Sequence, residues 1–254
     1  MLLAIDIGNS NVVCGIYTDQ DWKHIWRLPT LLSENPLLYY QEQFQHLLFE
    51  HRLWPLSCEK VVISCVVPEL RETFQILAEA FLKVNPVVLG PKIYPNLDLE
   101  VLRPEQLGTD LYANAFAAHH LYKKNSIIVD FGTALSFTMV DAQGSLKGVN
   151  ITPGLQTAIK ALFLNTAQLP EVPLKYPESA VGQHTTHAIQ SGVLVGYVGL
   201  VKHMVSSIRE ELGGHYQTVG TGGLLDVLTP LQDFFDERCP TLTLDGLRLI
   251  GERY

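Results

Sequence analysis

The chain has 254 residues, 47% hydrophobic and 17% charged, enough apolar material for one large packed domain or two of ordinary size, and too much for a disordered chain. Its 26 acidic and 18 basic residues give a formal net charge of -8, which repels phosphate backbones and anionic lipid, so neither nucleic acid nor a membrane is an expected partner. The 19 Gly and 14 Pro follow no short period, which excludes collagen-like and low-complexity chains.

In chain order, Met1-Leu2-Leu3-Ala4-Ile5 lacks a basic leader and runs directly into Asp6, which predicts a strand and not a signal peptide. Residues 11–18 and 21–28 read as second and third strands. Residues 35–52 read as a helix, 60–67 as a buried strand stopped by Pro68, 69–84 as a helix and 86–89 as a short strand. A helix over 109–123 links two halves, with a division expected at 1–115 and 116–254. Residues 126–131, 135–141 and 145–151 then repeat the three opening strands. Residues 155–166 read as a helix, 168–178 as a Pro-containing loop, 186–212 as one long helix, 216–220 as a strand, and 224–235 as a further helix. The longest apolar stretch, 191–207, is interrupted by Tyr197, Lys202 and His203 and is not expected to span a membrane. Cys14, Cys58, Cys65 and Cys239 show no CxxC spacing and are expected to be reduced thiols of a cytoplasmic protein.

The repeat carries the chemistry. Asp6-Ile7-Gly8-Asn9-Ser10 and Asp130-Phe131-Gly132-Thr133-Ala134 each end a buried strand, about half the chain apart. Glycine permits a tight reversal, a turn rich in N–H groups can cradle an anion, and an Asp at the strand end can hold Mg²⁺ beside phosphates. Either turn alone reads equally as an ordinary hairpin. Two copies in matching strand contexts point to a duplicated α/β fold whose turns grip one ATP across a cleft. Gly220-Thr221-Gly222-Gly223, between a strand and a helix, suits the base or ribose of a nucleotide, or is a plain connection. No G-x-x-x-x-G-K-[ST] loop is present, and no G-x-G-x-x-G opens a helix. Asp110, in the first turn of the linking helix, could accept a proton from an attacking hydroxyl, or serve only the helix dipole. His184 and His187 read as a helix-start pair, because no third metal ligand converges with them. Gly192, Gly196 and Gly199 lie on nearly one face of the long helix, which is either internal core or a homodimer seam.

Taken together, these motifs resemble the type III pantothenate kinases of the acetate and sugar kinase/Hsp70/actin superfamily. The resemblance extends over Ile63-Ser64-Cys65-Val66-Val67-Pro68, Gly108-Thr109-Asp110, Pro153-Gly154, Val181-Gly182-Gln183-His184-Thr185 and Pro240-Thr241-Leu242-Thr243-Leu244-Asp245-Gly246-Leu247. It implies duplicated ribonuclease H-like (actin-like) domains, mixed sheets flanked by helices, and phosphorylation of pantothenate by ATP at the start of coenzyme A synthesis. By the same resemblance, ATP is held by Asp6, Ile7, Gly8, Asn9, Ser10, Asn11, Val12, Val13 and Thr133, with Asp6 organising Mg²⁺. Asp130 binds a monovalent cation, K⁺ or NH₄⁺. Asp110 is the proton acceptor, and Gly108, Thr109, Asp110, Leu111 and Thr185 line the pantothenate site of a homodimer. The family's G-x-D-R is here Gly108-Thr109-Asp110-Leu111, its upstream tyrosine is Val101, and its G-G-x-I-x-P-G is Gly148-Val149-Asn150-Ile151-Thr152-Pro153-Gly154. All three departures lie on the acceptor side. Another base such as Arg103 or Lys160 takes the arginine's place, or the kinase uses another small hydroxylated acceptor, or the chain is a catalytically weak regulatory homologue.

Overall fold

The computed structural model describes residues 1–53 and 58–254. The first unit opens with β1 (Leu2–Ile7), β2 (Asn11–Thr18) and β3 (Asp21–Pro29), an antiparallel meander. Then come α1 (Pro36–Glu50), capped by the Asn35 side chain on Leu38 N, β4 (Lys60–Cys65), α2 (Pro68–Ile76) with a π-helical extension over Leu77–Phe81, and β5 (Val87–Val88). β4 pairs parallel with β1 and β5 parallel with β4, so the sheet order is β3-β2-β1-β4-β5. β1 and β4 are buried almost throughout, as the near-continuous apolar runs of central parallel strands require.

α3 (Thr109–Tyr122) leads into the second unit. β6 (Ser126–Phe131), β7 (Ala134–Val140) and β8 (Leu146–Pro153) form the second meander, followed by α4 (Leu155–Asn165). α5 (Thr185–Gln190), a π-helical turn over Ser191–Val195 and α6 (Gly196–Leu212) make one helical run. β9 (Gln217–Thr221) and β10 (Glu237–Arg238) complete a sheet of order β10-β9-β6-β7-β8, with β9 parallel to β6. The two sheets therefore share one order, strand for strand. Among the described residues, one helical run, Thr185–Leu212, is long and apolar enough to cross a bilayer. Its Leu194, Val201, Val205 and Ile208 are buried in the core of the second unit, while 28% of the apolar window as a whole is buried.

Two elements and the division into units differ from the sequence-based expectations. Residues 224–235 are turns and a short 3-10 segment, Thr229–Leu231, and not a helix. Pro230 disfavours the helical conformation in the residue before it and removes a backbone donor, and Leu228 leaves helical geometry at ψ 75°. β10 is a two-residue edge strand, too short for periodicity to register. The chain also does not divide at a single point: the compact units are Met1–Ala117 with Thr243–Tyr254, and Ala118–Leu242.

The terminal α7 (Leu242–Gly251) returns to the first unit because it completes that unit's packing. Trp22 Nε1 donates to Asp245 Oδ1 at 2.9 Å, Lys60 Nζ donates to the Gly251 carbonyl at 2.8 Å, and the Arg248 guanidinium lies 4.7 Å above the Tyr17 ring. Gly246 sits directly on α3, where a Cβ would lie 2.6 Å from the Ala113 carbonyl carbon. Gly246→Val is therefore expected to separate α7 from α3 and cost about 2–4 kcal/mol, seen as a lowered Tm, by analogy with overpacked cores. A Tm equal to that of the parent would mean the contact yields without cost.

Candidate active site

In the first unit the turn after β1 is fixed by the chain around it. Gly8 N donates to the Asn11 carbonyl at 3.0 Å, Val66 N to the Ile7 carbonyl at 3.0 Å, and the Thr30 hydroxyl to the Gly8 carbonyl at 2.6 Å. Asn9 and Ser10 are left exposed at the tip. Ile7 and Val12 face the core, so any part they play in holding a ligand is through the main chain. Asp6 is half-buried, in register with Val13 of β2 and Ser64 of β4. Burial first, and the Asp6 charge after it, push the Cys14 thiol far above its ordinary range. Asp6 thus contributes negative charge at the strand end beside the Gly8 turn. A carboxylate is a hard oxygen ligand of the kind Mg²⁺ takes.

The same strand edge carries Asp110. The Thr109 side chain is buried, and its Oγ1 lies 2.9 Å from Ser64 Oγ and accepts a hydrogen bond from Cys65 N at 3.0 Å. This pins the first turn of α3 to the end of β4, the strand beside β1. Asp110 follows directly and is half-buried, with Gly108 against its carboxylate. Its Oδ1 accepts from Leu111 N at 2.8 Å. Burial raises the Asp110 carboxyl above the usual carboxylate range, and the Leu111 N–H opposes that rise. The first unit therefore brings together the Gly8 turn and the Asp6 carboxylate at the end of one strand and the Asp110 carboxylate at the helix start pinned to the next. Ligands of open α/β sheets bind at such carboxyl ends.

The second unit repeats the turn. Gly132 N donates to the Ala134 carbonyl at 3.0 Å and Leu224 N to the Phe131 carbonyl at 3.1 Å. The exposed Thr133 has its carbonyl bound by Gly154 N at 3.0 Å and by the Thr157 hydroxyl at 2.6 Å. Asp130 is in register with Ser136 and Thr221, which brings Gly220-Thr221-Gly222-Gly223 alongside it. Gly222 has φ +95°, and a Cβ there would collide with Asp130 Oδ1 and lie 2.6 Å from Phe131 N. A carboxylate facing a glycine cradle suits a small cation. Thr185 is exposed at the start of α5, where His184 caps the helix by accepting from His187 N at 3.3 Å, the helix-start role expected of that pair. A groove of about 540 Å³ borders Thr185, Gly182, Ala188 and Leu162. Arg103 and Lys160 are both exposed, one before a 3-10 turn and the other on α4. All four cysteines are unbridged.

Sequence reasoning missed Thr30 and Thr157 as the groups that clamp the two turns. Each follows a strand ending in proline, Pro29 or Pro153, so the repeat itself held the signal. It also missed Ser64 as the partner of Thr109, since no spacing rule connects residues so far apart.

Two mixed sheets of identical order, each ending its first strand in an acidic residue beside a glycine turn, define a duplicated ribonuclease H-like, or actin-like, protein. Solved structures of this fold include a Campylobacter jejuni chain described as a Baf family transcriptional activator, with TM-score 0.61 and 20% identity over 99% of this chain and 98% of that one. MreB 5 of Spiroplasma citri, bound to AMPPNP, gives TM-score 0.52 and 11% identity over 99% and 96%. The type III pantothenate kinase family model matches residues 2–207. The type III pantothenate kinase of Syntrophus aciditrophicus (strain SB) is 34% identical over 100% of this chain and 99% of its own. The chain belongs to the type III pantothenate kinase family.

Proposed function

We propose that this protein transfers the terminal phosphoryl group of ATP to the primary hydroxyl of pantothenate, giving ADP and 4′-phosphopantothenate for coenzyme A synthesis. Beyond family membership, one observation supports this reading most: Thr109 ties the start of α3 to the end of β4, so the Asp110 carboxylate shares a strand edge with the Asp6 turn. Phosphoryl transfer needs little covalent help from the protein; it needs an aligned nucleophile and neutralised charge.

The backbone N–H groups of residues 6–13 and Thr133 hold the ATP phosphates. Asp6 holds Mg²⁺, which supplies positive charge to the transferred group. Asp130, against Gly222, holds the monovalent cation, K⁺ or NH₄⁺. Asp110 aligns the pantothenate hydroxyl and takes its proton as the P–O bond forms, and its raised proton affinity suits that task at neutral pH. Residues 108–111 and Thr185 line the acceptor site. The protein works in the cytoplasm as a homodimer: Gly192, Gly196 and Gly199 leave open space where a Cβ would be, which supports the seam reading over internal core.

Leu111 favours a second reading, with another small hydroxylated molecule as acceptor, because without a guanidinium at that position bidentate recognition of a carboxylate is lost. A coupled assay of ADP release tests both. Turnover with pantothenate and Mg²⁺, raised by K⁺, is expected. Turnover only with a different acceptor would transfer the assignment to that acceptor, and no turnover with any would remove the kinase reading.

A further inference from the structure

The end of β3 is tied to the Asp6 turn through one residue. Thr30 donates its hydroxyl to the Gly8 carbonyl at 2.6 Å and its N–H to the Ser10 carbonyl at 3.1 Å, so it holds the turn on both sides of Asn9. Thr30 is in turn flanked by two hydrogen bonds to a single side chain. The Tyr40 hydroxyl accepts from Leu31 N at 3.0 Å and donates to the Pro29 carbonyl at 3.3 Å. Tyr40 stands one turn into α1 and is fully buried, its ring packed on Phe74 of α2 with centroids 4.6 Å apart. A ring held in the core of the first unit therefore ends in a hydroxyl that grips the residues before and after Thr30.

The second unit uses the same device. β8 ends in Pro153 as β3 ends in Pro29, and the two prolines are as far apart in the chain as Asp6 and Asp130. The Tyr197 hydroxyl, on α6, donates to the Pro153 carbonyl at 2.7 Å, and the next residue, Gly154, donates its N–H to the Thr133 carbonyl at 3.0 Å. One tyrosine lies 11 residues from its proline and the other 44, so the recurrence belongs to the position in the fold and not to a copied loop. Tyrosine suits the task, since its hydroxyl both donates and accepts at the end of a rigid apolar ring. We propose that Tyr40 is a positioning residue for ATP, fixing Thr30 and through it the Gly8–Ser10 turn in the conformation that receives the phosphates, and that Tyr197 serves the Thr133 turn in the same way. This rests on the reading of those turns as the ones that hold ATP. Without the Tyr40 phenol, the Leu31 N–H and the Pro29 carbonyl must turn to water for partners, and Thr30 moves with them. A turn that has to be reordered by its ligand binds it more weakly than one already in place.

The test is titration of the full chain with MgATP, beside steady-state kinetics. Tyr40→Phe keeps the ring and its packing and removes both hydrogen bonds. Its Kd and KM for ATP are expected to rise about three- to tenfold, the range for one or two neutral hydrogen bonds, with the KM for pantothenate unchanged. Tyr197 is half-buried, so Tyr197→Phe gives the same readout with little disturbance of packing, and a similar loss is expected. Phe44→Leu, which loosens α1 without removing a bond to residues 29–31, should lower Tm and leave the ATP Kd alone. In a Thr30→Val background, Tyr40→Phe should weaken ATP binding by less than it does by itself, because part of the tie it supports is already cut. A parent-like Kd for ATP in either tyrosine variant, whatever its Tm, overturns the role of that tyrosine alone, as does full additivity of Tyr40→Phe with Thr30→Val for Tyr40. A parent protein that neither binds MgATP nor turns it over overturns the ATP reading of the turns and both tyrosine roles with it.

Discussion

Asp110→Asn is expected to lower kcat by about 10²–10⁴-fold, the usual contribution of a positioned general base. ATP affinity should change little, since Gly8, Thr30 and Val66 hold the Asp6 turn in place. The same variant should be more thermostable at neutral pH. The folded carboxyl has a raised pKa, so the folded state binds more protons than the unfolded state between the ordinary carboxylate range and that raised value. Stability falls as pH rises through that window, and the cost persists above it. An uncharged amide of the same shape removes the cost. Higher Tm with lost turnover would mark Asp110 as a group kept for chemistry at the expense of the fold. Single-turnover kinetics, ATP titration and thermal unfolding across pH 4–8 check all three outcomes. A near-parent kcat would withdraw the base assignment.

Gly222→Ala is expected to damage both the second unit and its cation site. The residue has φ +95°, where any side chain costs about 1–3 kcal/mol of backbone strain. The added methyl also meets Phe131 N and the Asp130 carboxylate, so Asp130 must shift. A fall in Tm of about 5 °C or more should accompany that strain. ATP should bind at least about tenfold more weakly, equivalent to about 1.4 kcal/mol, and the response to K⁺ should be blunted. Unchanged Tm together with full K⁺ activation would show that the glycine run is a mere connection.

The duplicated meander was legible because it depends on local signals: buried β-runs, Asp-x-Gly turns and their recurrence at half the chain's length. Central strands are apolar on both faces, so β1, β4 and β6 stood out from sequence. What could not be read was long-range. The Ser64–Thr109 hydrogen bond joins residues 45 positions apart, and the Tyr94–Tyr112 stack joins two segments with no common periodicity. Residues 224–235 were misread because apolar residues recur there at helical spacing while Pro230 forbids the helix. α7 went unassigned since its apolar face is defined by a sheet formed at the other end of the chain.

That return of the last twelve residues to the first unit sets an order on biosynthesis. Residues 118–242 have their whole unit in hand once they emerge from the ribosome, and domains generally fold as units during translation. The first unit must wait, its helix α3 and Trp22 lacking Gly246 and Asp245 until residues 243–254 have been made. Residues 1–117 are thus made before 118–242 but finished after them, and a stop ahead of residue 243 would leave the first unit without its closing helix.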